Sequence, residues 1–236
     1  KILGVSATIF SAHNVSKVKA AATLYYGANL DLSATRKEAD EKVAEAAKKD
    51  GVLWMPPFNH NDIIAGQGTA TLEALEQTGE VSSVFAPVGG GGLVSGSLIS
   101  TRALYPNANV VGAEPLVAND AAQSLRTGVI QTLSEQPNTL ADGAATLQVG
   151  EKTFPHLQAL DGFYEVDETK IAYWTQWLHH LLKIHVEPTC AMSMGAVVEW
   201  LKLHSREQKV LVMLSGGNID QQKMLQIWQH DHLQHI

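Results

Sequence analysis

Apolar runs rich in β-branched residues alternate with segments of helical period along nearly the whole chain. This alternation is typical of a parallel β-sheet that helices cover on both faces. The pattern predicts strands at 5–10, 28–33, 52–55, 83–88, 109–114, 163–166 and 209–214. It predicts helices at 15–26, 35–49, 65–78, 94–104, 118–127, 153–160, 168–183, 190–204 and 220–230. The predicted fold class is therefore α/β.

The same pattern divides the chain into two predicted domains. Residues 1–51 form a strand-helix-strand-helix piece, and Gly51 is suited to end its second helix. Residues 1–4 resemble the end of a helix, so we expect this piece to be the remnant of a small α/β domain. Residues 52–236 are predicted to form a large α/β domain, in which residues 128–150 make a long loop.

Four consecutive glycines, residues 89–92, lie directly between a predicted strand and a predicted helix. Such a loop turns several N–H groups toward one point, beside the positive end of the helix dipole, and is typical of a phosphate site. A linker or an ordinary tight turn is the alternative, but apolar elements flank the run. A Walker loop would need Lys and then Ser or Thr where Leu93 and Val94 stand. Dinucleotide binding stays open on spacing alone, because Glu114 lies at about the required distance.

A second glycine-containing turn, residues 215–218, follows the predicted strand at 209–214. The hydroxyl of Ser215 would stand at the carboxyl end of a parallel strand, where open α/β sheets bind ligands. The alternative is that Ser215 only caps the following helix. Together the two turns predict one site for a phosphate and one for a ring.

Composition narrows the possible partners. The hydrophobic content of 45% and charged content of 17% describe an ordinary globular protein of 236 residues. The net charge of -7 argues against nucleic acid or an anionic membrane surface as a partner. No apolar run approaches the length of a membrane span, and the first residues lack the pattern of a signal peptide. The single cysteine, Cys190, cannot form an internal disulfide, so we expect a cytoplasmic protein in which this thiol packs as a small hydrophobe.

Five strings occur in a fixed order along the chain: 64–69, 87–93, 141–143, 186–188 and 214–220. Together they closely resemble the pyridoxal-phosphate enzymes of the threonine/serine dehydratase and serine racemase family, across essentially the whole sequence. The resemblance implies the tryptophan-synthase-β-like fold (PLP fold type II), with two three-layer α/β domains and the cofactor between them. We therefore expect the small domain, residues 1–51, to be incomplete.

The resemblance also implies roles for individual residues. It places the cofactor phosphate on Gly89, Gly90, Gly91, Gly92 and the amide of Leu93, and the pyridine nitrogen on Ser215. Phe58 and Glu187 match family positions near the cofactor, although Phe58 could be a core aromatic and Glu187 a helix-capping carboxylate. Phe58 resembles the dehydratase form of its segment, since serine racemases tend to carry Asn there.

The expected chemistry follows from the residue that faces the ring nitrogen. Pyridoxal phosphate is an electron sink for a carbanion at an amino acid's α-carbon. A neutral hydroxyl such as Ser215 leaves the ring less electron-withdrawing than a carboxylate would, which favours immediate loss of a β-hydroxyl. The expected reaction is removal of water from L-serine or L-threonine, giving a 2-oxo acid and ammonia. Serine racemase activity is the alternative, and we expect a homodimer or a higher homo-oligomer that binds small amino acids.

The family's Schiff-base lysine has no counterpart that we can nominate. Members carry it in a Ser-Phe-Lys context, followed by a Ser-x-Gly-Asn-His loop, and neither string occurs here. Lys1 matches a helix-end position, while Lys17 and Lys19 lie on a helix that looks exposed. We expect either that further N-terminal residues carry the lysine or that the chain is a non-catalytic derivative that binds an anion or a partner. The chain alone is therefore predicted to be inactive.

A cation site is predicted where the strand at 109–114 ends. Two carboxylates and a carbonyl can bind a hard cation through oxygen. In metal-activated racemases and dehydratases the matching positions are Glu114, the carbonyl of Ala118 and Asp120, which would take Mg²⁺ or Ca²⁺. The alternative is an acidic strand end beside a helix cap at Asn119 or Asp120. The histidines are expected to form a solvated face rather than a metal site: 179, 180, 204, 230, 232 and 235.

Overall fold

A computed structural model describes residues 2–234, so that Lys1 and His235, both considered above, lie outside the described residues. The strands are β1 (Thr8–Ala12), β2 (Asn29–Ser33), β3 (Ser83–Pro87), β4 (Asn109–Pro115), β5 (Gly162–Val166) and β6 (Val210–Val212). The helices are α1 (Lys17–Tyr25), α2 (Arg36–Ala46), α3 (Asn61–Thr78), α4 (Gly92–Leu104), α5 (Asp120–Thr127), α6 (Phe154–Leu157), α7 (Glu168–Leu182), α8 (Pro188–Ala191), α9 (Ser193–Leu201) and α10 (Gln221–Trp228). All strand pairs are parallel, and the α/β fold class is confirmed.

The described chain forms two compact units. The first comprises residues 2–55 and Asn218–Met224, and the second comprises Pro56–Gly217 and 225–234. In the first unit β1 pairs with β2 from Thr8 to Ala12. Asp220 accepts hydrogen bonds from the Ser16 hydroxyl at 2.8 Å and from the Val18 N–H at 3.1 Å, and thereby neutralises the N-terminus of α1.

The second unit is built on a four-stranded sheet in the order β5-β4-β3-β6. Strand β3 is central and buried throughout, which is why its residues are nearly all apolar. Val84 and Ala86 join the core cluster that contains Val94 of α4. On the opposite face of the same strand, the ring of Phe85 meets that of Trp200 of α9 edge-on, with centroids 6.2 Å apart. Helices therefore cover both faces of the sheet.

Helices α3 and α4 approach closely through glycines. A Cβ atom on Gly68 would lie 2.8 Å from the carbonyl oxygen of Gly96, and one on Gly96 would overlap the carbonyl of Ile64. The Ser100 hydroxyl donates to the Gly68 carbonyl at 2.8 Å across the same contact. The string at 64–69 is thus a helix-packing element, which holds α4 in place behind the glycine run.

Several predicted elements were wrong in extent or in kind. Residues 52–55 form no strand and are exposed, because this short apolar run finds no neighbouring strand. The first strand lies at Thr8–Ala12 rather than 5–10, and the helix predicted at 153–160 shortens to Phe154–Leu157. The helix predicted at 190–204 is two helices, α8 and α9, with Met192 between them. None of the helices within residues 2–234 combines the length and the hydropathy that crossing a bilayer would require.

A pair of glycine substitutions tests the α3–α4 contact. Gly96→Ala should lower the free energy of unfolding by roughly 2 kcal/mol or more, because backbone must move to admit the methyl group. Gly66→Ala is the matched control on α3, since its Cβ would meet nothing within 4 Å. It should be neutral or stabilise the protein by about 0.5–1 kcal/mol. Urea denaturation measures both, and equal effects would contradict the assigned packing.

Candidate functional site

The glycine run connects the central strand to the N-terminus of α4 within the second unit. Gly91 is the N-cap of this helix in a left-handed conformation, with φ 90° and ψ 1°. Gly90, Gly91 and Gly92 are buried, while Gly89 and Leu93 are partly exposed. A buried helix N-terminus without a side-chain cap leaves its N–H groups in need of an acceptor.

The peptide N–H groups of residues 89–94 donate to no acceptor in the described part of the chain. The carbonyls of Gly90 and Gly91, in contrast, are well satisfied. The Gly90 carbonyl accepts from the Thr153 hydroxyl at 2.7 Å and from the Gly150 N–H at 3.2 Å. The Gly91 carbonyl accepts from the Ser95 N–H at 3.0 Å and from its hydroxyl at 2.6 Å. Because C=O and N–H point to opposite sides of a trans peptide, the next N–H groups face the other way and remain available to an anion.

No side chain fits at the first three positions of the glycine run. A Cβ on Gly89 would lie 2.9 Å from the Gly143 carbonyl oxygen, and one on Gly91 would lie 2.8 Å from Leu157 Cδ1. A Cβ on Gly90 would overlap the ring of Phe58, which therefore lies directly against the run. Glycine is required at 89, 90 and 91 by the close approach of neighbouring atoms, and at 91 also by the left-handed backbone conformation.

The Ser215 turn lies at the same edge of the sheet. Strands β3 and β6 are neighbours, with Phe85 opposite Val212, and the Met213 N–H donates to the Phe85 carbonyl at 2.9 Å. Both strands are parallel, so the two loops that follow them leave the sheet at its carboxyl edge. The residue Ser215 is exposed.

The turn is held from behind by the string at 186–188. The Gly216 carbonyl accepts from the Glu187 N–H at 3.0 Å and from the Cys190 thiol at 3.2 Å. A Cβ on Gly216 would overlap the Glu187 carboxylate, so this side chain lies against the turn rather than capping a helix. Burial raises the pKa of the Cys190 thiol, which keeps it in the protonated form that can donate.

Four of the five strings therefore meet in space. Gly143 joins its own string to two others: its carbonyl lies against Gly89, and its N–H donates at 3.0 Å to the hydroxyl of Thr189, which directly follows the string at 186–188. The contacts made by Thr153, Ser95 and Cys190 were not predicted, since single hydroxyl and thiol residues carry no spacing signal in a sequence. Only the arrangement of distant segments reveals them.

Glu114 and Asp120 are both buried near the start of α5. Glu114 accepts from the N–H of Ala121 at 3.2 Å and of Ala122 at 2.6 Å. In a helix that began earlier, these N–H groups would donate to carbonyls of the preceding turn. Here they donate to Glu114 instead, and α5 begins at Asp120. Burial, together with the Asp120 charge, raises the pKa of Glu114 to about 9 despite these hydrogen bonds.

Asp120 lacks such partners. Neither of its carboxylate oxygens, nor the Thr146 hydroxyl, has a hydrogen-bond partner within the described residues. Burial raises the pKa of Asp120 to about 7; Thr146 lies close enough to oppose part of this rise, although no bond of normal geometry joins them. A buried carboxylate without a partner is costly, and a cation bound beside it would remove that cost.

The histidines form no metal cluster, and no group of three or more His, Cys, Asp or Glu side chains within residues 2–234 is placed to hold a metal ion. Two of them are nevertheless not simply solvated, contrary to expectation. The His179 Nε2 atom lies 3.1 Å from the Val186 N–H and 2.9 Å from its carbonyl oxygen. The His204 ring stacks on Trp200 with centroids 4.6 Å apart. His179 thus supports the segment that leads to Glu187.

Comparisons with known proteins agree with this arrangement. A family model described as pyridoxal-phosphate dependent enzyme matches residues 1–216. The chain is 37% identical to the L-threo-3-hydroxyaspartate ammonia-lyase of Saccharomyces cerevisiae and 36% identical to the serine racemase of Schizosaccharomyces pombe. These alignments cover 94% and 93% of the chain and 68% of each relative. The chain thus spans about two thirds of the length of these relatives.

Solved structures give the same result. A threonine deaminase of T.th. superimposes with a TM-score of 0.85 at 39% identity, covering 93% of this chain and 72% of that one. Maize serine racemase superimposes with a TM-score of 0.87 at 32% identity, covering 99% of this chain and 72% of that one. The expected fold, which is that of these enzymes, is confirmed.

The raised carboxyl pKa values predict how stability changes with pH in the metal-free protein. Both groups bind protons more tightly in the folded chain than in the unfolded chain, whose carboxyl pKa values lie near 4. Stability should therefore fall as the pH rises from about 4 to about 9. Asp120→Asn should match the parent near pH 4 and be more stable at pH 8.

Urea denaturation in the presence of EDTA at both pH values measures this difference. Glu207→Gln, which removes an exposed carboxylate, is the control and should leave the pH profile unchanged. A parent profile identical to that of Asp120→Asn would show that Asp120 ionises without cost in the fold.

Proposed function

The chain belongs to the pyridoxal-phosphate dependent enzyme family, and from this premise we propose that it is a serine/threonine dehydratase. It would remove water from L-serine or L-threonine and release ammonia and a 2-oxo acid. The observation that carries the proposal is the buried row of N–H groups at 89–94, beside the Ser215 turn at the same sheet edge. This pair of features suits a ligand with an anionic arm and a polar ring.

The residues present fit pyridoxal phosphate. Glycines 89–92 and the Leu93 amide would hold the phosphate, because their N–H groups have no other acceptor in the described chain. Ser215 would offer a neutral hydroxyl to the ring nitrogen, and Phe58, which lies against Gly90, would border the cofactor. When bound, the cofactor supplies an electron sink for the substrate's α-carbon.

The chain's own residues would bias the reaction toward elimination. A hydroxyl at the ring nitrogen would not hold a proton there as a carboxylate would, so Ser215 would leave the bound cofactor a weaker electron sink. A weaker sink would favour loss of the substrate's β-hydroxyl over return of its α-proton. Glu187, whose carboxylate lies against Gly216, would help to fix the Ser215 turn. The relatives are named after threonine, serine and 3-hydroxyaspartate, and each of these amino acids carries a β-hydroxyl.

Serine racemase is the second candidate. It is supported by the racemases among the relatives and by the Glu114, Ala118 and Asp120 arrangement, which we propose as a Mg²⁺ or Ca²⁺ site. The unpartnered oxygens of Asp120 are the structural support for a cation there. Chiral analysis of product from L-serine separates the candidates: D-serine accumulating faster than pyruvate would favour the racemase.

We further propose that residues 1–51 are the remnant of a small domain and that residues 52–236 form the large cofactor-binding domain. The Ser-Phe-Lys string is absent, so the 236-residue chain alone would bind the cofactor without turning over substrate. We also propose a cytoplasmic homodimer or higher homo-oligomer. Light scattering of the purified protein and cell fractionation check assembly and location, and a monomer outside the cytoplasm would contradict both.

The activity is tested with protein expressed from the whole open reading frame of the gene. With added cofactor, L-threonine should give 2-oxobutanoate, while the 236-residue chain tested in parallel should give none. Ser215→Ala should reduce kcat by roughly 10- to 100-fold, since it removes the hydrogen bond that orients the ring. Ser134→Ala, an exposed serine in the long loop, is the control. Cofactor binding without release of any 2-oxo acid would contradict the dehydratase.

The cation site is tested by thermal stability. Mg²⁺ or Ca²⁺ should raise the Tm of the parent, and by more at pH 8 than at pH 6, because protons compete for the same carboxylates. Asp120→Asn should lose this stabilisation, whereas Glu207→Gln should retain it. An equal Tm shift in Asp120→Asn would place the cation elsewhere.

A further inference from the structure

Thr153 lies behind the glycine run and has no role in the function proposed so far. It is fully buried and stands at the N-cap of the short helix α6. Threonine at this position normally caps its own helix by accepting an N–H bond. Here the side chain makes no capping bond with α6 and turns instead toward the glycine run, 63 residues away in sequence.

The hydroxyl of Thr153 is fully used in this position. It accepts from the Gly150 N–H at 3.0 Å and lies 2.7 Å from the Gly90 carbonyl oxygen and 3.0 Å from that of Gly150. A hydroxyl has a single proton to donate, and the shorter distance indicates that Gly90 receives it. The bond fixes the orientation of the peptide that joins Gly90 to Gly91.

The orientation of that peptide decides where one donor points. With its C=O turned back to Thr153, the N–H of Gly91 must face the opposite side, together with the other unpaired N–H groups of 89–94. Thr153 also limits Gly91 sterically, since a Cβ there would lie 2.9 Å from its Oγ1 atom. Gly91 already has a φ of 90°, a conformation that favours glycine. This conformation and the contact with Thr153 together restrict rotation of the Gly90–Gly91 peptide.

Ser95 holds the following peptide in a similar way, with its hydroxyl 2.6 Å from the Gly91 carbonyl oxygen. That bond joins residues four apart in the same helix and is a common feature of helical serines. Thr153 is different because it reaches the glycine run from another segment. It therefore couples the position of α6 to the direction of the Gly91 N–H.

We infer that Thr153 is a positioning residue for the phosphate arm of the cofactor. It acts through the Gly90–Gly91 peptide and touches neither the phosphate nor the reacting atoms. The inference rests on the proposed pyridoxal-phosphate site. It predicts that Thr153 contributes to the affinity for the phosphate and not to the affinity for the ring.

The test compares two ligands that differ only in the phosphate. Dissociation constants of pyridoxal 5′-phosphate and of pyridoxal are measured on the 236-residue chain by quenching of protein fluorescence. In the parent, the phosphate form should bind the more tightly. Thr153→Val, which has nearly the same shape without the hydroxyl, should reduce the ratio of the two constants by about tenfold, while the affinity for pyridoxal changes little. Thr153→Ser keeps the hydroxyl and should restore the ratio.

Thr175→Val is the matched control. Thr175 is equally buried in the same unit, and its hydroxyl donates to the Ile171 carbonyl at 2.8 Å within α7. This variant makes the same chemical change away from the glycine run, so it should keep the parental ratio even if it lowers stability. Should Thr153→Val fail to fold, Thr153→Cys supplies a weaker donor and should give an intermediate ratio.

The outcomes separate this inference from the function that it builds on. A parent that does not prefer the phosphate form would overturn the cofactor site itself. A parent that prefers it, with an unchanged ratio in Thr153→Val or Thr153→Cys, would overturn the positioning role alone. Equal losses for both ligands would show that Thr153 acts only on general stability, and this too contradicts the inference.

Discussion

The buried N-terminus of α4 imposes the main physical constraint on the larger unit. Six consecutive residues, 89–94, present N–H groups that find no acceptor in the described chain, in a region largely shielded from water. Unpaired buried donors are costly, so the loop is stable only if its carbonyls are well bound and an anion completes the set. Thr153 and Ser95 meet the first condition. The second condition is the physical reason for proposing a binding site at this loop.

The surrounding segments are arranged to satisfy this constraint. Gly68 and Gly96 let α3 approach α4, which fixes the helix that carries the donors. Gly143 and Phe58 cover the glycine run closely enough to exclude any side chain from it. A carbonyl is also bound in the neighbouring turn, where the Glu187 N–H and the Cys190 thiol donate to the Gly216 carbonyl and so hold the Ser215 turn. In both loops other groups donate to the backbone carbonyls, so the opposite side of each loop remains available to a ligand.

The acidic site formed by Glu114 and Asp120 has the opposite electrostatic requirement. Glu114 uses its two oxygens on the N–H groups that start α5, whereas Asp120 is buried without a partner among the described residues. Thr146 lies near Asp120, and its methyl group would be 3.5 Å from a Cβ on Gly89. The charge-poor glycine run needs an anion and the carboxylate pair needs a proton or a cation. One loop, residues 143–146, contacts both sites, since Gly143 lies against Gly89 and Thr146 lies near Asp120.

Much of this protein could be predicted from local patterns. The alternation of apolar strands and amphipathic helices determined the α/β class, and two glycine turns after strands led to the predicted sites for an anion and a ring, because those signals depend on neighbouring residues only. The false strand at 52–55 shows the limit, since a strand needs a partner that the local sequence does not name. Tertiary structure alone decided that Thr153 turns away from its own helix, that Cys190 donates to Gly216 and that Asp120 lacks a partner in the described chain. Each of these depends on contacts between segments tens of residues apart, and no spacing rule in the sequence encodes such contacts.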